Sequence, residues 1–230
     1  MAFGACVFPD RAAAGGALAA RMLQQHLTPP VLVLALPRGG VPVAYEIARA
    51  LAAPLDVMLV RKVGMPGQPE LAIGAVAAGD IVVHERSIGQ EFPAIAADFE
   101  RIAAQERREL RRREQVYRAG LGPLVLQGRT VLLVDDGLAT GSTMLAAVRA
   151  ARAGGAARIV VAAPVASPQA AELVGAEADQ LIILQMPAML FAIGQWYERF
   201  EQLEDEEVCR LLELHRGNLA GPGSADQRER

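Results

Sequence analysis

Short apolar runs alternate along this chain with longer segments of helical period. Residues 31–36 are apolar throughout and are followed by a Pro-Arg-Gly-Gly turn. Residues 55–60 and 130–134 repeat the pattern, as do 159–163 and 181–184. Runs of this length, lacking polar alternation, suit strands buried on both faces. Helical periodicity fills the gaps at about 42–52, 142–153 and 168–174. The alternation predicts an α/β fold with a mostly parallel central sheet flanked by helices. Residues 73–77 and 81–84, separated by Ala78-Gly79-Asp80, predict a β-hairpin. Residues 65–70, with two prolines and a glycine, predict an exposed loop. Residues 93–118 interleave Glu and Arg at helical spacing and predict one long helix.

Outside the alternation, residues 11–26 and 193–215 also read as helical. The expected organisation is a core domain over 28–186, with 1–27 and 187–216 forming a small cap, or hood, over one end of the sheet. The polar, Gly- and Pro-containing tail 217–230 is expected to be disordered.

Composition narrows the functional classes. The chain is 52% hydrophobic but only 4% aromatic, so its core is aliphatic. A net charge of -3 offers no global basic field, so nucleic-acid binding is not expected and any anion site must be local. The Arg-rich stretch 106–118 is balanced by Glu106, Glu109 and Glu114, and suits a solvated face or the subunit contact of a homodimer. The apolar runs are too short to span a bilayer, and residues 1–10 lack a secretory pattern; a cytoplasmic protein without membrane contact is expected. Cys6 and Cys209 fit ordinary thiols.

The most informative segment is Val-Leu-Leu-Val-Asp-Asp-Gly-Leu-Ala-Thr-Gly-Ser-Thr at 131–143. A buried strand delivers Asp135 and Asp136 at its C-terminal end, where ligands bind in open α/β sheets. Such carboxylates suit vicinal hydroxyls or the water shell of Mg²⁺. Thr140, Gly141, Ser142 and Thr143 then supply hydroxyls and backbone N–H groups at a helix start, which suits a phosphate. A Walker A loop would need a lysine here, and a dinucleotide fingerprint would lack the intervening acids. An ordinary capped helix would explain Thr140 but not two acids leaving a buried strand.

This segment resembles the signature of type I phosphoribosyltransferases, which bind phosphoribosyl pyrophosphate (PRPP). The resemblance extends over roughly residues 5–215, to bacterial stand-alone phosphoribosyltransferase-domain proteins. It implies the type I fold, with Asp135 and Asp136 on the ribose hydroxyls and on Mg²⁺ through water. It places Ala139 to Thr143 around the 5′-phosphate. Arg38, Gly39 and Gly40 resemble the family's pyrophosphate loop, which often contains an unusual cis peptide. Arg61 and Lys62 resemble its basic pair, opening a mobile loop over 64–71. Lys62 is the single lysine beside 22 arginines, which favours a role for a compact ammonium that arginine does not fill.

The implied reaction transfers the phosphoribosyl group of Mg-PRPP to a nitrogenous base, with Lys62, Arg61, Asp135 and Asp136 as the catalytic set. The base itself is not legible. Ala139 stands where hypoxanthine-guanine enzymes carry an acid, and Phe191 or Trp196 could stack on a planar base. The alternative is a regulatory protein that binds PRPP or a nucleotide without catalysis.

Overall fold

The computed structural model describes residues 7–65, 68–78, 81–84 and 93–220. Helix α1 (Arg11–Met22) leads to β1 (Val31–Ala35), α2 (Gly40–Leu51) and β2 (Leu55–Val57). Three further strands follow, β3 (Val60–Met65), β4 (Gln68–Ala77) and β5 (Ile81–His84), then the long helix α3 (Pro93–Tyr117). The second half runs β6 (Thr130–Val134), α4 (Ser142–Ala153), β7 (Arg158–Val165), α5 (Pro168–Gly175) and β8 (Gln180–Gln185). A 3₁₀ turn (Ile193–Trp196) and α6 (Asp205–Ala220) close the chain.

The main sheet is parallel throughout, in the order β2-β1-β6-β7-β8. Its aliphatic runs divide by alternation between two cores. Val33, Ala35, Leu132 and Val134 face α1, α2 and α6, while Leu32, Leu34, Val131 and Leu133 face α4 and α5. The chain leaves β1 toward β2 on one side and β6 toward β7 on the other. The order therefore reverses between β1 and β6, and a crevice opens where their C-terminal loops diverge.

A second, antiparallel sheet of β3-β4-β5 packs against α3. Here the structure corrects two sequence expectations. The strand expected over 55–60 ends at Val57, and Val60 already opens the second sheet. The loop expected over 65–70 is mostly strand: Met65 pairs with Gln68, so the hairpin narrows to Pro66 and Gly67, which lie outside the described residues. The pairing shifts register on both sides of Gly64. The hairpin of 73–77 with 81–84 forms as expected, while Gly79 and Asp80 of its turn lie outside the described residues.

The helix expected over 11–26 ends at Met22, and the one expected over 193–215 is broken. Phe8 and Tyr197 pair as an isolated parallel bridge, which draws 197–200 away from helical geometry. Gly194 lies so close to the Phe200 ring that an added Cβ would stand 2.8 Å from it. Helix α6 starts later, at Asp205, and runs to Ala220, so 217–220 are helical rather than disordered. Residues 221–230 lie outside the described residues. Among the described residues, no helix is long and apolar enough to cross a membrane.

Candidate active site

Two loops meet at the reversal point. After β1, Pro37-Arg38-Gly39-Gly40 turns into α2, and the Pro37–Arg38 peptide is cis. After β6, Asp135 and Asp136 lead into the turn before α4. The loops touch closely: a Cβ on Gly39 would overlap the Asp136 carboxylate, and one on Gly40 would lie 2.6 Å from the Val134 carbonyl. Glycine is required at both places by this approach.

Each carboxylate is anchored through one oxygen. Asp135 Oδ1 accepts from the Asp136 amide at 2.9 Å. Asp136 Oδ2 accepts from Arg11 Nε at 2.8 Å. Among the described residues no third group donates to the remaining oxygens, and the two carboxyl groups lie within hydrogen-bonding reach of each other. Burial holds the Asp135 carboxyl well above the usual carboxylate range, and the neighbouring Asp136 adds to it. Burial also raises Asp136, but the Arg11 guanidinium pulls it back, so Asp135 is the further displaced of the two. A buried pair of adjacent acids disfavours double ionisation and welcomes cations or donors.

The following loop is built to hold its shape. Leu138 N–H donates to the Val165 carbonyl at 2.9 Å, and Ser167 Oγ donates to the Ala139 carbonyl at 2.7 Å. Gly141, at φ 74°, is the N-cap of α4 and has no side chain to cover the helix start. Ala139, Thr140 and Thr143 are exposed and Ser142 is half-buried, with Thr140 and Ser142 hydroxyls 2.7 Å apart. The loop thus brings the Thr140 and Ser142 hydroxyls together at the start of α4, with the Ser142 N–H donating to Thr140 Oγ1 at 3.4 Å.

The basic residues are less convergent. Alternation along β3 puts Lys62 with Val60, which packs on the α4 side, and Arg61 with Val63, which packs on the α3 side. Arg61 pairs with Glu106 of α3, whereas among the described residues Lys62 makes no ion pair. The two side chains expected to act as a pair therefore leave the strand in opposite directions. Arg38 reaches Glu204 at 3.5 Å and Asp205 at 3.9 Å, at the start of α6. A cleft of about 40 Å³ between Pro37 and Thr143 is edged by Arg61 and Arg113.

The segment between β8 and α6 also reaches the site. Tyr197 donates from its hydroxyl to the Asp136 carbonyl at 2.6 Å, and Ile193 packs on Gly137. Phe191 is 77% exposed, beside exposed Met186 and Met189. Trp196 is instead packed with Phe8 and Tyr197. Arg11, Tyr197 and Phe200 were missed from sequence. The Asp10 N-cap that starts α1 was a local signal, but nothing local joins Arg11 to a carboxylate 125 residues away.

An open parallel sheet with an acid pair and a glycine loop meeting at its reversal point defines an α/β protein whose candidate ligand site lies at the strand ends. The chain belongs to the phosphoribosyl transferase domain family, whose model matches residues 9–194. Its architecture is the type I phosphoribosyltransferase fold. It is 41% identical over 220 residues to a Mycobacterium tuberculosis protein named "Putative phosphoribosyl transferase Rv0571c", a match covering 96% of this chain and 49% of that protein. The chain spans about half the length of the curated relatives it matches. The crystal structure of TT1426 from Thermus thermophilus is similar, with a TM-score of 0.83 and 43% identity, covering 90% of this chain and 97% of that one.

Proposed function

We propose that the chain binds PRPP at the reversal point and transfers its phosphoribosyl group to a nitrogenous base, releasing pyrophosphate. The observation that carries this is the acid pair at the strand end, each carboxylate anchored through one oxygen and with no third donor among the described residues on the other. Acceptor-only groups in that state suit the vicinal hydroxyls of a ribose. Ala139 to Thr143 would take the 5′-phosphate, and the Arg38-Gly39-Gly40 turn the pyrophosphate.

The anomeric carbon would lose its bond to the pyrophosphate oxygen and gain one to a base nitrogen, whose proton passes to water. Arg38, Arg61 and Lys62 would stabilise charge growing on the leaving group. Arg38 and Arg61 would first exchange their glutamate partners for phosphate oxygens.

The donor chemistry fits Mg²⁺. Asp135 and Asp136 are hard oxygen donors, and among the described residues no group of three or more metal-binding side chains occurs. That suits an ion held by one or two carboxylates, through water, and by substrate phosphates. When bound, Mg²⁺ would neutralise charge on the pyrophosphate.

Calorimetric titration with Mg-PRPP, in wild type and in Asp135→Asn/Asp136→Asn, tests the assignment. Binding that the double variant weakens by ~10-fold or more is expected, and bases can then be screened for pyrophosphate release. No binding by folded wild type would end the proposal. Binding without turnover of any base would favour the second reading, a non-catalytic PRPP or nucleotide sensor, which the carboxylate partners of Arg38 and Arg61 also suit.

A further inference from the structure

Arg11 belongs to none of the loops that the motif identifies, yet it contacts the acid pair directly. Its guanidinium is held in three directions at once. Nε donates to Asp136 Oδ2 at 2.8 Å, Nη1 donates to the Glu201 carbonyl at 2.9 Å, and the guanidinium lies 3.8 Å from the Phe200 ring centroid. Its side chain is only 11% exposed. The planar fork is what allows one residue to bind a carboxylate, a carbonyl and a ring face together.

Arg11 takes the Asp136 oxygen that Gly39 confines most tightly and does not engage Oδ1. The backbone of Asp136 is pinned separately, by the Tyr197 hydroxyl on its carbonyl. Rotation of the carboxylate is thereby blocked, and one oxygen is presented. We propose that Arg11 is a positioning residue for ribose recognition, locking Asp136 so that its free oxygen meets the sugar hydroxyls. This rests on the ribose assignment above. The opposite role is a guanidinium plug that a ligand must expel. The anchoring of Arg11 to Glu201 and Phe200, both independent of the carboxylate, argues for a fixed part of the site.

The two roles predict opposite signs. Binding of ribose 5-phosphate and of inorganic phosphate is measured by calorimetry for wild type, Arg11→Lys and Arg11→Gln, and for Arg11→Gln in an Asp136→Asn background, with thermal melting followed throughout. For Arg11→Gln, ribose 5-phosphate is expected to bind about 10- to 100-fold more weakly, the range for loss of a charged hydrogen bond. Inorganic phosphate should be held within about 2-fold of wild type, because its loop is anchored by Ser167. Arg11→Lys keeps the charge and should recover part of the loss; it also carries the test should Arg11→Gln fail to fold. In the Asp136→Asn background, Arg11→Gln should add little, since the residue acts through that carboxylate. Unchanged or tighter sugar binding in folded variants overturns the proposal, as does a full additional loss in the Asp136→Asn background. Wild type that binds inorganic phosphate but not ribose 5-phosphate overturns the ribose assignment itself, and this inference with it.

Discussion

Asp136 stands between Arg11 on one side and Gly39 on the other, so one carboxylate joins the N-terminal helix, the turn after β1 and the strand end of β6. The contact with Arg11 is an ion pair whose side chains are 11% and 15% exposed. Burial on this scale makes the pair structural.

Breaking it from one side should therefore cost stability. Arg11→Ala leaves a carboxylate uncompensated in a buried setting and should destabilise by about 2–4 kcal/mol. Arg11→Ala/Asp136→Asn should recover part of that loss. Denaturant titration of the three forms measures both; a double variant no more stable than the single would contradict the ion-pair account.

Gly39→Ala places a methyl group where the Asp136 carboxylate already sits. Either the loop or the acid must shift, at about 1–3 kcal/mol of stability. Binding of PRPP should fall more steeply than stability does, because both ligand loops are displaced together. Comparison of melting with calorimetric affinity separates the two effects.

The carboxylate partners of Arg61 and Arg38 compete with any phosphate for the same guanidinium groups. Glu106→Gln and Glu204→Gln should each tighten pyrophosphate binding by about 1.5- to 5-fold, in keeping with the modest strength of half-exposed pairs. Weaker binding in both variants would mean that the glutamates position the arginines rather than occupy them.

Lys62 is set apart from Arg61 by the strand's alternation and has no ion-pair partner among the described residues. For an acceptor base found by screening, Lys62→Ala should lower kcat by about 10²-fold or more, on the scale of losing one electrostatic contact to the leaving group. Full activity in that variant would remove Lys62 from the catalytic set.

Two buried phenols predict an alkaline limit. Burial raises Tyr117, aided by its bond to Asp205, and burial also raises Tyr197, aided by the nearby Asp136. Both hold their protons more tightly folded than unfolded. Their contribution is complete below the ordinary phenol range near ~10 and is lost as pH rises above it, because the unfolded state ionises first. Phenolate absorbance should therefore appear late and together with unfolding; early, reversible ionisation of both rings in folded protein would contradict it.

Much of the sheet was legible because strands buried on both faces must be apolar without interruption, as Val31 to Ala35 and Val131 to Val134 are. The segment at 65–70 and the segment before α6 differ from the sequence reading for two different reasons. Met65 and Gln68 pair with each other in a tight hairpin that the Pro and Gly signals disguise as a longer loop, and Trp196 to Phe200 follow a pairing with Phe8 that local composition does not encode.

The sequence by itself determined the alternation of strands and helices, the acid pair at a strand end and the hydroxyl-rich loop after it. Those features depend on neighbours a few residues apart, and local chemistry is enough to specify them. Only the tertiary structure decided that Arg11 locks Asp136, that Arg61 turns toward Glu106 and away from Lys62, and that Gly39 must be bare. These depend on which elements the folded sheet brings into contact, across separations of 45 residues for Arg61 and 125 for Arg11. At such distances, burial and side-chain direction choose the partner, and no local pattern records the choice.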